Sequence, residues 1–239
     1  MLATWLQESK HTVVLTGAGM STESGLPDFR SALRGIWRGK DPSKLASTYA
    51  LTHNREEFIS FYRMRIEGLQ QCNPHIGHEI LAKWEQKGII KSIVTQNVDG
   101  FHMKAGNQNV SELHGTLRTI RCSVCAKEYP SARFLEIDET VCECGGFVRP
   151  SVVLFGESLP INALKKAEQQ MSQADLCIVM GSSLQVSPAN MFPIMAKENG
   201  AKLVIVNREP TELDFLADLL VNDRMIGEYL QEIQTELGI

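Results

Sequence analysis

A glycine-rich turn follows the first apolar run of the chain. Residues 12–16 lead directly into Gly17-Ala18-Gly19. After the first strand of an α/β sheet, such a turn lets backbone N–H groups approach a phosphate, helped by the dipole of the next helix. The usual dinucleotide fingerprint is incomplete, because Thr22 occupies the third glycine position and no acidic residue ends a second strand about twenty residues on. The turn alone leaves a nucleotide site and an ordinary turn equally open.

Polar side chains follow the second apolar run, which ends at Thr95. Asn97 and Asp99 come directly after it, where side chains project into the crevice in which α/β sheets bind ligands. The sequence Asn-Val-Asp-Gly is also typical of a turn in which Asp99 bonds its own backbone, and taken alone the turn is favoured. His114 can exchange a proton at physiological pH, although an isolated histidine is more often a packing residue.

Four of the six cysteines form two close pairs. Cys122 and Cys125 have C-x-x-C spacing, and Cys142 and Cys144 follow after sixteen intervening residues. Four thiolates in this arrangement suit one tetrahedral Zn²⁺, and a closed four-thiolate shell makes that ion structural rather than catalytic. The second pair is one residue shorter than the ordinary spacing, and redox-active or unligated thiols are the alternative.

The composition is that of a globular protein that binds neither nucleic acid nor membranes. The chain has 239 residues, 43% hydrophobic and 22% charged, with a formal net charge of −4. A nucleic-acid binder would need a basic face, and the longest apolar runs of five or six residues are far too short for a bilayer span. No export signal is visible, which predicts a cytoplasmic protein whose cysteines bind metal rather than form disulfides.

Short apolar runs alternate with helical patterns along the chain. The runs are rich in Val, Ile and Leu and lack period-two alternation, which is typical of strands covered on both faces of a parallel sheet. Predicted strands span 12–16, 92–95, 152–155, 176–180 and 203–206, with a weaker one at 219–221. Predicted helices span 56–71, 77–87, 162–172 and 188–199. The alternation predicts an α/β fold with a doubly wound, Rossmann-like parallel sheet.

Two segments interrupt this alternation. Residues 32–74 have helical patterns without a strand, and residues 118–149 hold the paired cysteines. The predicted division is therefore a Rossmann-like domain in three parts, at 1–31, 75–117 and 150–239, with a helical insertion at 32–74 and a zinc-binding module at 118–149.

The longer motifs carry a more specific signal. They are GAGMSTESGLPDFR at 17–30, TQNVDGFH at 95–102, Leu-His-Gly at 113–115, RPSVVLFGE at 149–157, GSSLQVSPA at 181–189 and VIVN at 204–207. In this order and at these spacings the motifs resemble those of the sirtuin family, in a short bacterial-type member. The resemblance extends from Leu15 to the C-terminal helix.

The resemblance implies an NAD-dependent protein-lysine deacetylase with NAD as co-substrate and one structural zinc. NAD would be cleaved at its nicotinamide bond, and the acyl group of a modified lysine would pass to ADP-ribose. The acylated protein or peptide would bind as an extended strand against Val153, Phe155 and Gly156. A protein mono-ADP-ribosyltransferase and a non-catalytic NAD-binding module are the alternatives.

The family match also assigns residues to roles. His114 would be the general base. Asn97 and Asp99 would line the nicotinamide pocket, with Asp99 holding the nicotinamide carboxamide. The metal would be bound by Cys122, Cys125, Cys142 and Cys144. The residues assigned to NAD are Gly17, Ala18, Gly19, Thr22, Asp28, Phe29, Arg30, Gln96, Asn97, Val98, Asp99, His114, Gly181, Ser182, Ser183, Asn207 and Met225. Family members more often have Gly-Thr-Ser at 181–183, and this chain keeps a small hydroxyl there.

One helical stretch bears on the choice of acyl group. Tyr62 and Arg65 lie three residues apart and would face one side of a helix. Some sirtuins use such a pair to hold the carboxylate of succinyl- or malonyl-lysine, because a guanidinium binds a carboxylate with two hydrogen bonds. Desuccinylation or demalonylation is therefore a possible additional activity, and a solvated arginine is the alternative, slightly favoured by the sequence.

Overall fold

The computed structural model describes residues 1–29, 35–36, 39, 41–136 and 139–239. In chain order, the strands of this described part are β1 (Thr12–Thr16), β2 (Ser92–Thr95), β3 (Val110–Glu112), β4 (Gly115–Cys122), β5 (Glu128–Pro130), β6 (Val148–Val152), β7 (Leu176–Met180), β8 (Lys202–Val206) and β9 (Leu219–Val221). The α-helices are α1 (Leu2–Glu8), α2 (Pro42–Leu45), α3 (Thr48–His53), α4 (Arg55–Gln70), α5 (Ile76–Gln86), α6 (Phe101–Ala105), α7 (Ile161–Gln173), α8 (Met191–Glu198) and α9 (Ile226–Glu236). Short 3-10 helices span Ala18–Ser24, Ser131–Leu135 and Asp214–Leu216.

The main sheet of the described residues has six strands in the order β3-β2-β1-β7-β8-β9, and all its pairings are parallel. Strands β1 and β7 lie at its centre and are buried along their whole length, as their unbroken apolar sequences require. The chain proceeds outward from β1 through β2 on one side and from β7 through β8 on the other. The strand order therefore switches between β1 and β7, and the prediction of a doubly wound sheet is confirmed.

Helices cover both faces of the sheet, and successive residues of a strand pack against opposite helical layers. Val14 of β1 belongs to the cluster formed with α1, α5 and α9. Its neighbours Val13 and Leu15 belong to the opposite cluster, formed with α7 and α8. This division explains why the strand sequences are continuously apolar instead of alternating.

A second lobe stands beside the carboxyl edge of the main sheet. Strands β4, β5 and β6 form an antiparallel sheet in the order β5-β4-β6. Phe58, Tyr62 and Ile66 of α4 share one buried cluster with Ile120 of β4 and Val148 of β6. The helical segment and the cysteine module therefore share one core, while the boundaries drawn from the sequence at 31, 74, 117 and 149 stay predictions.

The strand predicted at 152–155 is wrong. The chain instead forms β6, which ends at Val152 and pairs antiparallel with β4 in the small sheet. Val148 and Val152 of β6 are buried within the core of the second lobe. An apolar run in the sequence does not show which of two sheets it will join. Strand β3 was not predicted, because three residues at a sheet edge carry too little apolar pattern. Among the described residues, no helix is both long and apolar enough to span a membrane.

Candidate active site

A cavity of about 920 Å³ lies between the carboxyl edge of the main sheet and the second lobe. Its volume is near the upper end of the range of roughly 300–1,000 Å³ that ligand pockets occupy. The predicted cofactor and substrate residues that line it are Gly17, Ala18, Gly19, Thr22, Asp28, Phe29, Tyr62, Arg65, Gln96, Asn97, Val98, His114, Val153, Phe155, Gly156, Gly181, Ser182, Ser183, Asn207 and Met225. Arg30 lies outside the described residues. Residues from segments far apart in sequence therefore meet in one wall.

The glycine turn after β1 packs against the turn after β7. The N–H of Gly17 donates to the Met180 carbonyl at 3.1 Å, and that of Gly19 donates to the Gly181 carbonyl at 2.8 Å. A Cβ on Gly17 would lie 2.7 Å from the oxygen of Gly181, and a Cβ on Gly19 would lie 2.7 Å from its Cα. Glycine is thus required at both positions to bring the two turns together. The element that follows is a seven-residue 3-10 helix rather than a full α-helix.

Three polar side chains behind this turn form a buried cluster. Ser21 donates to Oδ2 of Asp99 at 2.7 Å and accepts from the amide of Asn97 at 3.2 Å. The other carboxylate oxygen, Oδ1, accepts from the Phe101 N–H at 2.9 Å. Burial raises the pKa of Asp99, which the hydrogen bonds from Phe101 and Ser21 oppose. Asn97 faces the cavity, whereas Asp99 is absent from the described residues that line it and is hydrogen-bonded to Ser21.

His114 stands in the cavity wall with a defined tautomer. Its Nδ1 lies 3.0 Å from the Gln96 carbonyl, and because a carbonyl only accepts, Nδ1 must carry the proton. Nε2 is therefore the basic atom. Burial lowers the pKa of His114, and the hydrogen bond to Gln96 opposes the change. The imidazole is consequently neutral at physiological pH and available as a base.

The other buried histidines of the described chain lack these features. Nε2 of His102 lies 2.9 Å from Oγ1 of Thr16, and burial lowers the pKa of His102 to about 3. Burial likewise lowers the pKa of His78 to about 2. Neither belongs to the described wall of the cavity, and both are buried as packing residues are.

Tyr62 and Arg65 of α4 both line the cavity. The guanidinium carbon of Arg65 lies 5.1 Å from the ring centroid of Phe29 and 6.0 Å from that of Tyr62. Burial lowers the pKa of Arg65, and nearby Tyr62 and Asp99 oppose that change. Burial raises the pKa of Tyr62 to about 12, so that its hydroxyl remains a hydrogen-bond donor. A cationic group and a phenol thus meet at one end of the cavity.

The segment at 153–157 is fixed by a buried ion pair. Arg149 is only 4% exposed, and its guanidinium binds both oxygens of Glu157 at 2.6 and 2.8 Å. Oε2 of Glu157 also accepts from the Leu154 N–H at 2.9 Å. The pair therefore holds residues 153–157, which follow β6 and border the cavity, in a rigid turn.

The four paired cysteines come together in the small sheet. Their sulfur atoms all lie within 4.8 Å of one another. The Sγ atoms of Cys122 and Cys144 are 3.5 Å apart, and those of Cys125 and Cys142 are 3.6 Å apart. Tetrahedral zinc with bonds of about 2.3 Å requires sulfur separations of about 3.8 Å, so the cluster fits a zinc ion.

Comparisons with known proteins agree with this geometry. The profile of the Sir2 family matches residues 17–188, which is more than half of the chain. The chain belongs to the Sir2 family. A relative from Geobacillus kaustophilus, named NAD-dependent protein deacetylase 1, is 59% identical over 99% of this chain and 98% of its own length. An NAD-dependent protein deacetylase of Oceanobacillus iheyensis is 56% identical over 99% of this chain and 100% of its own length.

Solved Sir2 structures have the same fold. One, with a deacetylated p53 peptide and 3'-O-acetyl ADP ribose, superposes with a TM-score of 0.93 at 39% identity and covers 100% of this chain and 98% of its own. Another, with p53 peptide and NAD+, gives a TM-score of 0.90 at 38% identity, over 99% and 97% of the two chains. The resemblance to sirtuins read from the motifs is confirmed.

Ser21 and Glu23 are among the polar residues of this Sir2 site that were not predicted from the sequence. Ser21 joins Asn97 to Asp99, and Glu23 lines the cavity near α9. Both lie inside the motif at 17–30, which was the one signal available for them. Their partners are far away in sequence, so their contacts become visible only in the fold.

Proposed function

We propose that this Sir2 chain is an NAD-dependent protein-lysine deacetylase that transfers the acyl group to ADP-ribose and releases nicotinamide. The observation that carries the proposal is that a single cavity contains the glycine turn, Asn97 and a His114 whose Nε2 is the basic atom. A module that only binds NAD has no need of a base with a fixed tautomer in that wall.

NAD is the co-substrate and supplies, once its nicotinamide bond breaks, a ribose carbon that a weak nucleophile can attack. The glycine turn would hold the phosphates at the switch between β1 and β7. Asn97 would line the nicotinamide pocket, Asp99 would hold the nicotinamide carboxamide, and Ser21 would fix both residues in place. Phe29, which lines the cavity, would exclude water from the reacting carbon.

His114 would move the proton. Its Nε2 would accept the proton of a ribose hydroxyl, which makes that oxygen nucleophilic. The Gln96 carbonyl, bonded to Nδ1, would stabilise the positive charge that the ring then carries. Gln96 is itself held, because its amide donates to the Ser182 hydroxyl at 2.8 Å. The base is thus oriented through two successive hydrogen bonds.

The acyl-lysine peptide would bind along the segment at 153–157. Phe155 is already paired on one side, because its N–H donates to the Ala46 carbonyl and its own carbonyl accepts from the Thr48 N–H. Gly156 lines the cavity, has a left-handed backbone with a φ of 94°, and makes no hydrogen bond that is seen within the described chain. It is the position at which the backbone of an added strand would approach. Recognition through the backbone predicts broad sequence tolerance.

Mass spectrometry of the products after incubation with NAD and an acetyl-lysine peptide tests this proposal. Deacetylation produces O-acetyl-ADP-ribose, nicotinamide and a peptide lighter by one acetyl group. A peptide heavier by ADP-ribose would instead indicate a mono-ADP-ribosyltransferase, and unchanged NAD would indicate a binding module.

Removal of acidic acyl groups is a second candidate activity, favoured by the position of Tyr62 and Arg65 in the cavity wall. We propose that they hold the carboxylate of succinyl- or malonyl-lysine. Arg65→Met should lower kcat/KM for a succinyl-lysine peptide at least about tenfold and spare the acetyl-lysine peptide, because a charge-assisted hydrogen bond is worth about 1.5–3 kcal/mol. Arg63→Met is the matched control, since Arg63 donates to the Phe134 and Glu136 carbonyls. Equal losses on both peptides, or no desuccinylation by the wild type, would leave a plain deacetylase.

We also propose a cytoplasmic location, where reducing conditions keep the four clustered thiols available to zinc. The thiols of all six cysteines are free in the structure. Cell fractionation would check this, and recovery outside the cytoplasm would contradict it.

A further inference from the structure

Helix α9 begins beside the cavity, and the residues that lead into it form part of the wall. Arg224, Met225 and Ile226 all line the cavity. Met225 occupies the N-cap position, and within the described chain its side chain makes no capping hydrogen bond. The first N–H groups of a helix need partners, and a side-chain oxygen can supply one.

Glu23 supplies that oxygen from a distant part of the chain. Its carboxylate accepts from the Gly227 N–H at 3.0 Å through Oε1 and at 3.2 Å through Oε2, across 204 positions of sequence. The Glu23 side chain is 16% exposed. A Cβ on Gly227 would lie 2.6 Å from Oε2, so glycine makes this approach possible. A negative charge at a helix N-terminus is also favourable.

His75 borders the carboxylate but does not compete for it. Its Nε2 donates to the Met20 carbonyl at 2.7 Å, which leaves Nδ1 without a proton to accept from the Gly77 N–H at 3.1 Å. Nδ1 lies 3.9 Å from Oε2 of Glu23, beyond hydrogen-bond distance. The ring thus packs beside the carboxylate, whose hydrogen bond goes to Gly227.

The two elements that Glu23 joins flank one half of the cavity. Glu23 belongs to the 3-10 helix after the glycine turn, at the centre of the main sheet. Asn97 and His114 follow strands on the β2 side of that centre, whereas Asn207 follows β8 on the other side. A dinucleotide that places nicotinamide beside His114 must therefore extend its adenosine toward Asn207 and the start of α9.

We propose that Glu23 is a positioning residue that holds the adenosine end of the cavity in its binding shape by joining the glycine turn to α9. The inference rests on the proposed function, because it requires that the cavity takes NAD. Glu23 would act on cofactor affinity alone, since neither the 153–157 segment nor His114 is among its hydrogen-bond partners in the described chain.

The test is calorimetric titration of the zinc-loaded protein with ADP-ribose. Glu23→Ala should raise the Kd roughly three- to tenfold, the equilibrium effect of losing a helix cap. At saturating NAD, kcat and the KM for an acetyl-lysine peptide should stay at wild-type values. Glu228→Ala is the matched control, because Glu228 is an exposed glutamate in the first turn of the same helix. It should change the Kd less than about twofold, as an exposed charge near a helix dipole would.

A second variant keeps the test decisive if Glu23→Ala does not fold. Glu23→Gln retains one acceptor oxygen and should give a smaller increase in Kd. A wild-type Kd in either folded Glu23 variant, even with a lowered Tm, would overturn the inference and reduce Glu23 to a structural role. An equal increase in Glu228→Ala would also overturn it. Failure of the proposed function is distinguishable, because the wild type would then bind ADP-ribose without deacetylating peptide, or bind no ADP-ribose at all.

Discussion

Replacement of Glu157 by glutamine tests whether the Arg149–Glu157 pair positions the peptide segment. The substitution keeps the shape of the side chain and removes the charge that faces the Arg149 guanidinium. It also weakens the acceptor of the Leu154 N–H, which Glu157 binds at 2.9 Å. The segment at 153–157 should then lose the constraint that holds it beside the cavity.

The size of the effect follows from the burial of the two partners. Arg149 is 4% exposed and Glu157 is 25% exposed, and the guanidinium keeps the carbonyls of Pro150 and Val152 as further acceptors. Breaking a fully buried pair costs about 3–5 kcal/mol, and partial exposure and the remaining acceptors reduce this to about 2–3 kcal/mol. Glu8→Gln is the control, because the Lys202–Glu8 pair is 47% and 64% exposed and should contribute less than about 1 kcal/mol.

The assay combines urea unfolding of the zinc-loaded protein with steady-state kinetics. The free energy of unfolding should fall by the stated amount, and the KM for an acetyl-lysine peptide at saturating NAD should rise. The Kd for ADP-ribose should not change, because Glu157 and Arg149 lie outside the glycine turn. A loss no larger than that of Glu8→Gln, or an unchanged peptide KM, would show that the Arg149–Glu157 pair does not position the segment.

The same pair predicts a pH dependence. Burial alone would raise the pKa of Glu157, but hydrogen bonds from Arg149 and Leu154 outweigh it and hold the pKa below its usual value of 4.5. The stability contribution of a carboxyl with a lowered pKa is present above its unfolded pKa and is lost as pH falls through the folded pKa. The difference between wild type and Glu157→Gln should therefore shrink only below pH 4.5. A difference that disappears near neutral pH would contradict this.

Two further predictions concern the base and the metal. His114→Ala should lower deacetylation at least about a hundredfold with ADP-ribose affinity nearly intact, and near-normal turnover would remove His114 from its role. Because burial lowers the pKa of His114, the acidic limb of the wild-type kcat/KM profile should lie below the usual histidine pKa of 6.5; a limb above pH 7 would contradict that assignment. One zinc should bind per chain, and Cys142→Ser should lose both the metal and stability, since metal binding and folding are coupled. Elemental analysis that finds active wild type free of zinc would contradict this.

The main sheet was predictable because each central strand is an apolar run bounded by turn residues. The runs at 12–16, 92–95 and 176–180 match β1, β2 and β7 residue for residue. The run at 152–155 misled because only Val152 and Leu154 are buried, in the second lobe where β6 pairs with β4, whereas Phe155 is exposed. A local apolar pattern indicates that a strand is buried, but burial alone does not identify the sheet to which the strand belongs.

The site residues that could be predicted are those that lie within a recognisable sequence motif. Gly17, Gly19 and His114 all lie in the cavity wall. Asp99 is hydrogen-bonded to Ser21, and that contact depends on how β1 and β2 align, which no local pattern specifies. The contact between Glu23 and Gly227 depends in the same way on packing between distant elements.

The coupling of NAD cleavage to lysine deacetylation can be measured by quantifying nicotinamide and free lysine in one reaction of the zinc-loaded wild type with NAD and an acetyl-lysine peptide. We expect both products to form in equal amounts, together with O-acetyl-ADP-ribose, and neither to form when NAD is omitted. Free lysine formed without NAD, or nicotinamide released while the peptide keeps its acetyl group, would show that this chain does not couple the two reactions.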